Sequence, residues 1–333
     1  MIYTLYIIAT LGVTIFYTVI THLYIHSQKN HRRLRNRYLH LASAAVLADS
    51  DSSAIAITAT TRSERLTLID ALYSFASHCY DHNQPITALI ARENNLEKHL
   101  LRELRFATKY RRGLLWLQLA TISPSHHHTL RLRQELHNSD PHIRSCSLIA
   151  LLCTSPEESI KTLQELDFEL QPYDISRIIS LVRRGVLPFA FEGLLQSGNY
   201  NLKLLAISIV RHFNLDIYAK YIYPFLSNRE HPKLVTEAIY TLTAMKHPLN
   251  SPLLRRHILA MPPSQRKALC RHLSAEGYSL QALRWLLPNN EMEYAERLIT
   301  SHKRQLSQSN RAPVCHFLKF QFSSFFTLWY APP

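Results

Sequence analysis

Three consecutive histidines, His126, His127 and His128, form the densest group of metal-ligating side chains in the chain. A metal site needs three or four ligands converging from fixed positions. No cysteine or carboxylate stands at a matching spacing, and Ser123-Pro124 just ahead marks a joint between elements, so the triplet reads as polar loop filler. His22 with His26, and His78 with His82, have the i, i+4 spacing that puts two ligands on one helical face. Among 19 histidines such pairs arise by chance, and neither belongs to an H-E-x-x-H motif. The cysteines, Cys79, Cys146, Cys153, Cys270 and Cys315, are odd in number, scattered and without a C-x-x-C, which argues for reduced thiols. No G-x-S-x-G is present, and 6 glycines leave no G-x-G-x-x-G or Walker-type loop to cradle a phosphate. Glu157-Glu158 and Glu291 with Glu293 fall at expected helix starts, where carboxylates complement the dipole. The sequence therefore singles out no catalytic, cofactor-binding or metal-ligating residue, predicts no small-molecule substrate, and points away from an enzyme.

Cationic side chains are the remaining chemistry. The formal net charge is +14, which suits an acidic protein, anionic lipid or nucleic acid. One cluster, Lys29, Arg32, Arg33, Arg35 and Arg37, follows directly on a long apolar stretch. Others recur along the chain as Arg111-Arg112, Arg183-Arg184, Arg255-Arg256 and Arg266-Lys267. On a row of stacked helices such recurrence would give either a basic stripe or a solvated face laced with ion pairs between repeats.

The elements that must position these groups are helical. Leu, Ala, Ile and Arg are abundant and glycine is scarce, so the expected fold class is all-α. Residues 2–25 (IYTLYIIATLGVTIFYTVITHLYI) carry no Lys, Arg, Asp or Glu and are long enough to cross a bilayer. Nothing basic precedes the stretch, unlike a cleaved signal peptide, so it reads as a transmembrane anchor. The basic block of residues 26–37 marks the cytoplasmic side, which places the N-terminus outside and the bulk of the chain in the cytoplasm. The same block is suited to anionic lipid headgroups. Residues 38–62 read as helix and tether, with Thr61-x-x-Glu64 as a capping box opening the next helix. The tail, 311–333, is rich in Phe, Trp and Tyr and too short to span.

Between them, residues 63–310 show a repeat. Segments 139–154, 198–214, 230–246 and 263–275 share a turn, an aliphatic residue, a basic residue and then small and apolar residues. Tyr110, Ile143, Ile175, Leu202, Leu234, Gln265 and Tyr294 mark one register at spacings of 33, 32, 27, 32, 31 and 29. A period near 30 reads as stacked helix pairs, each too small to bury both its faces alone. In S-D-P-H-I-R-S-C-S-L-I-A-L-L, Asp140, Pro141, Ile143, Arg144 and Ala150 match the second-helix signature of HEAT repeats, and the chain resembles that family. The resemblance implies a HEAT-like α-α superhelical solenoid that binds a protein partner. The basic register positions Arg111, Arg144, Lys203 and Arg266 are then the candidate partner-binding residues. The combined expectation is a membrane-tethered scaffold holding a membrane-associated protein, with topology alone suggesting an envelope or polysaccharide assembly complex. A membrane-tethered nucleic-acid binder is the alternative.

Overall fold

The computed structural model describes the backbone of residues 2–47, 57–78, 84–187, 191–227, 230–248 and 251–309; the side chains of 2–11, 13, 47, 84, 85, 191, 192 and 302–309 lie outside the described residues, as do the tail 311–333 and the segment 48–56. Among the described residues the protein is all-helical, with no strand. It divides into two compact units between Ala190 and Phe191.

Unit 1 contains α1 (Ile2–Leu47), α2 (Arg62–His78), α3 (Gln84–Glu93), α4 (Leu96–Arg105), α5 (Lys109–Ile122), α6 (Thr129–Leu136), α7 (Pro141–Thr154), α8 (Ser159–Gln164) and α9 (Pro172–Arg183). Unit 2 contains α10 (Phe191–Leu195), α11 (Tyr200–Phe213), α12 (Ala219–Ile222), α13 (Pro232–Ala244), α14 (Pro252–Ala260), α15 (Pro263–Ala275), α16 (Leu280–Leu286) and α17 (Met292–Ser309). The seven register residues fall at the second to fourth positions of α5, α7, α9, α11, α13, α15 and α17.

Helix starts follow from local chemistry. A proline at the first helical position lacks only a donor that would have no intrahelical partner, and its φ is already helical. Pro141, Pro172, Pro232 and Pro263 open α7, α9, α13 and α15 in this way. Asp140 Oδ1 accepts from the His142 N–H at 2.9 Å, and Asn199 Oδ1 from the Leu202 N–H at 3.2 Å. The capping box read at Thr61 is present: Thr61 Oγ1 accepts from the Glu64 N–H at 3.2 Å, and Glu64 Oε2 accepts from the Thr61 N–H at 3.1 Å. Residues just before it are docked. Asn94 receives the Ala59 N–H at 2.8 Å and donates to the Ile57 carbonyl at 2.7 Å, so this part of the expected tether belongs to the packed unit.

Packing runs between neighbours. In unit 1, α2 packs on α5, α5 on α7 and α7 on α9; in unit 2, α11 packs on α13, α13 on α15 and α15 on α17. Helix α7 is the most enclosed, with Ile143 and every residue from Ser145 to Leu152 buried. Gly113 permits its close approach to α5, because a Cβ there would stand 3.1 Å from Cys146 Sγ and 3.2 Å from His142 Cδ2. Polar contacts repeat the same spacing. Lys203–Glu230, Arg266–Glu291, His257–Leu226 and Thr241–Ile207 join residues 25 to 34 positions apart. One bond reaches much farther along the chain: Arg184 Nη1 donates to the Ala76 carbonyl at 2.9 Å, 108 positions away, and ties the end of α9 to α2.

Helix α1 is continuous through the expected boundaries at 25 and 37. Its last third packs on α2 and α3, burying Tyr38 and Ala42. Among the described residues no helix is long and apolar enough to cross a membrane; much of the expected anchor, residues 2–11 and 13, has its side chains outside them.

Candidate functional site

The exposed stretch of α1 is built from side chains that have nothing to pack on. Ile15, Phe16, Tyr17, Val19, Ile20, Leu23, Tyr24 and Ile25 are each 46–70% exposed and lie all around the helix. Its hydroxyls turn inward. Thr18 Oγ1 donates to the Thr14 and Ile15 carbonyls at 3.0 and 2.8 Å, and Thr21 Oγ1 to Tyr17 at 2.8 Å. Such back-bonding satisfies the donors within the helix and leaves a nearly apolar exterior. Each of the eight side chains would gain about 1.5–3 kcal/mol on full burial, on the order of 10 kcal/mol together.

The basic block follows without a break. Lys29, Arg32, Arg33 and Arg37 are exposed. Arg35 instead faces the unit, with Nε 2.9 Å from Asp70 Oδ2 and Nη2 donating to Ser74 Oγ at 2.6 Å. Four of the five cations are therefore open to a ligand, and the fifth fastens α1 to α2.

Arg111 and Arg144 lie in unit 1, Lys203 and Arg266 in unit 2, and each has an intramolecular partner. Arg111 Nη2 lies 3.2 Å from Glu103 Oε2, where it shares a buried carboxylate with Arg62. The hydrogen bond from Arg62 holds the Glu103 carboxyl below the usual range. Arg144 Nη1 donates to the Asn138 carbonyl at 3.1 Å, and its guanidinium sits 5.3 Å over the Phe168 ring. Lys203 Nζ reaches Glu230 at 3.3 Å. Arg266 clamps Glu291 through Nε at 3.0 Å and Nη2 at 2.8 Å, and donates to the Leu259 carbonyl through Nη1 at 3.1 Å. These contacts join neighbouring segments of the repeat.

The histidine triplet diverges. His128 is buried with Nε2 3.0 Å from Glu97 Oε1, His126 Nδ1 lies 3.4 Å from Ser155 Oγ, and His127 is exposed. His78 ends α2 with Nδ1 2.7 Å from the Ser74 carbonyl, while His82 lies outside the described residues.

Sequence reasoning passed over a different face. On α7, His142, Cys146 and Cys153 stand at i, i+4 and i+11; on α9, Tyr173, Arg177 and Arg184 repeat that spacing. His142 stacks on Tyr110 of α5, with ring centroids 4.9 Å apart, and Arg177 lies 5.1 Å over the Tyr173 ring. The shared spacing was the available signal. Mixed aromatic, thiol and cationic types hid it from a search for charge runs or metal ligands.

No protein-family model, curated protein or solved structure matches the chain, so its resemblance to HEAT repeats rests on the residues quoted above.

Proposed function

We propose that the protein is a membrane-tethered scaffold: residues 2–25 of α1 cross the bilayer, and the helical body stands on the cytoplasmic side as a HEAT-like solenoid that binds a membrane-associated protein. The observation that carries the reading is the exposed apolar stretch of α1, continuous with a helix end that is packed in unit 1. A helix of 46 residues is about 69 Å long at 1.5 Å per residue, which exceeds a hydrocarbon core of about 30 Å. The ten residues from Ile25 to Arg35 span about 15 Å, so the body hangs close beneath the headgroups with Lys29, Arg32 and Arg33 at their level. Neighbour-to-neighbour packing at the repeat spacing supports the solenoid, and a row of stacked helices offers surface for a partner rather than a reaction centre.

Alkaline carbonate washing of membranes tests the tether. The full chain should stay in the pellet, and a variant with Ile15→Lys and Ile20→Lys should be released. Release of the unaltered chain would end the reading. Retention of the double variant would move the attachment elsewhere in the chain.

A further inference from the structure

In unit 1 the Arg184–Ala76 bond brings α9 back to α2, so α2, α5, α7 and α9 close around a shared face. Arg177 and Arg184 project from α9 into it. Arg177 Nη1 lies 3.7 Å from Cys146 Sγ, and no carboxylate among the described residues stands within ion-pair distance of either guanidinium. The nearest carboxylates are committed elsewhere. Asp140 caps α7 through the His142 N–H, and Asp174 accepts from the Ser145 hydroxyl and from the Gln171 N–H at 3.0 Å.

Burial opposes ionisation of the thiols and of the Tyr173 phenol near the two arginines. Burial pushes the Cys146 thiol up, and that of Cys153 to about 11, against the opposing pull of the arginines. Tyr173 is raised by burial too, with Tyr73 of α2 close enough to add to the shift. Among the described residues, two positive charges on this face therefore have no carboxylate within ion-pair distance, and the buried Arg184 Nε–H has no acceptor. Charges drawn out of water without a partner are costly.

We propose that this face binds a phosphate group. A phosphate monoester carries a charge of about −1.5 to −2 near neutral pH, which matches two guanidiniums, and its oxygens accept from several directions at once. A single peptide carboxylate offers one negative charge in one plane and would leave one guanidinium unanswered. The tie between α9 and α2 also favours a compact group over an extended chain. The site is independent of the membrane reading, since none of its named residues lies on α1.

The test is calorimetric titration of the full chain, in micelles of a neutral detergent, with inorganic phosphate and then with phenyl phosphate. Arg177→Gln leaves the Arg184–Ala76 bond in place and should weaken binding by about tenfold or more, the scale of one lost charge-assisted fork. Arg177→Lys restores charge without the fork and should recover part of the affinity, which also covers a Gln variant that fails to fold. Arg131→Gln, at an exposed position on α6, should change nothing. Flotation with phosphatidylcholine vesicles, with and without phosphatidic acid, separates the sources: capture that depends on phosphatidic acid and on Arg177 identifies a lipid headgroup, and competition by phenyl phosphate alone identifies a soluble ester. Absence of phosphate binding, equal affinity in all variants, or a glutamate-rich peptide that binds through Arg177 and is not displaced by phosphate would each overturn the proposal.

Discussion

Arg184 and Arg211 occupy the same place in the repeat, nine residues after Ile175 and Leu202, yet their surroundings are opposite. In unit 2, Arg211 Nη1 meets Glu237 of the next stacked helix, α13, at 2.7 Å. In unit 1, Arg184 donates to the Ala76 carbonyl and, among the described residues, meets no carboxylate and has a buried Nε without an acceptor. Arg211 is thus a structural ion-pair partner, whereas Arg184 is bonded to a neutral carbonyl. An arginine in a repeat is defined by what the adjoining helix presents to it.

The contrast can be broken by stability measurements under urea. Arg266→Met should have the largest effect, about 3 kcal/mol, because Arg266 and Glu291 are only 12% and 9% exposed and the stranded carboxylate has no other cation among the described residues. Arg211→Met should cost about 1–2 kcal/mol, since Glu237 is half-buried and loses its partner. Arg184→Met should be close to neutral, because one lost hydrogen bond is offset by removing an unneutralised charge. A cost for Arg184→Met equal to that of Arg211→Met would erase the distinction and make both arginines purely structural.

Acid should sharpen the view of unit 2. Burial pushes the His272 imidazole below its ordinary pKa, opposed by Glu276 and helped by Arg211. With the folded value depressed, the unfolded chain takes up the proton first as pH falls. The stability is therefore full above about pH 6.5 and declines as pH drops toward the folded pKa. The His99 imidazole of unit 1, also lowered by burial, acts in the same direction. His272→Phe keeps the ring against Tyr240, 5.1 Å away, and should flatten part of the decline of Tm between pH 7 and pH 5. An unchanged slope would mean that the His272 pKa is the same in the folded and the unfolded chain.

The helix starts were legible because their signals are local. Pro141, Pro172, Pro232 and Pro263 open helices wherever the chain is cut out and inspected, and aliphatic spacing marks the buried stripe. The capping box at Thr61 and Glu64 needs only residues three apart. The candidate basic residues were legible as charges but not as contacts. Nothing near Arg266 in the sequence announces Glu291, 25 positions on, and nothing near Arg184 announces Ala76.

The sequence by itself determined the helical class, the period near 30, the helix starts and the apolar stretch beside its basic block. Periodicity, capping and composition act within a turn or two of chain. Only the tertiary structure decided that the body divides at Ala190, that α1 runs unbroken into unit 1, and which arginines are neutralised. Those outcomes depend on which side chains meet across stacked helices, and the packing of neighbours, rather than local propensity, sets that meeting.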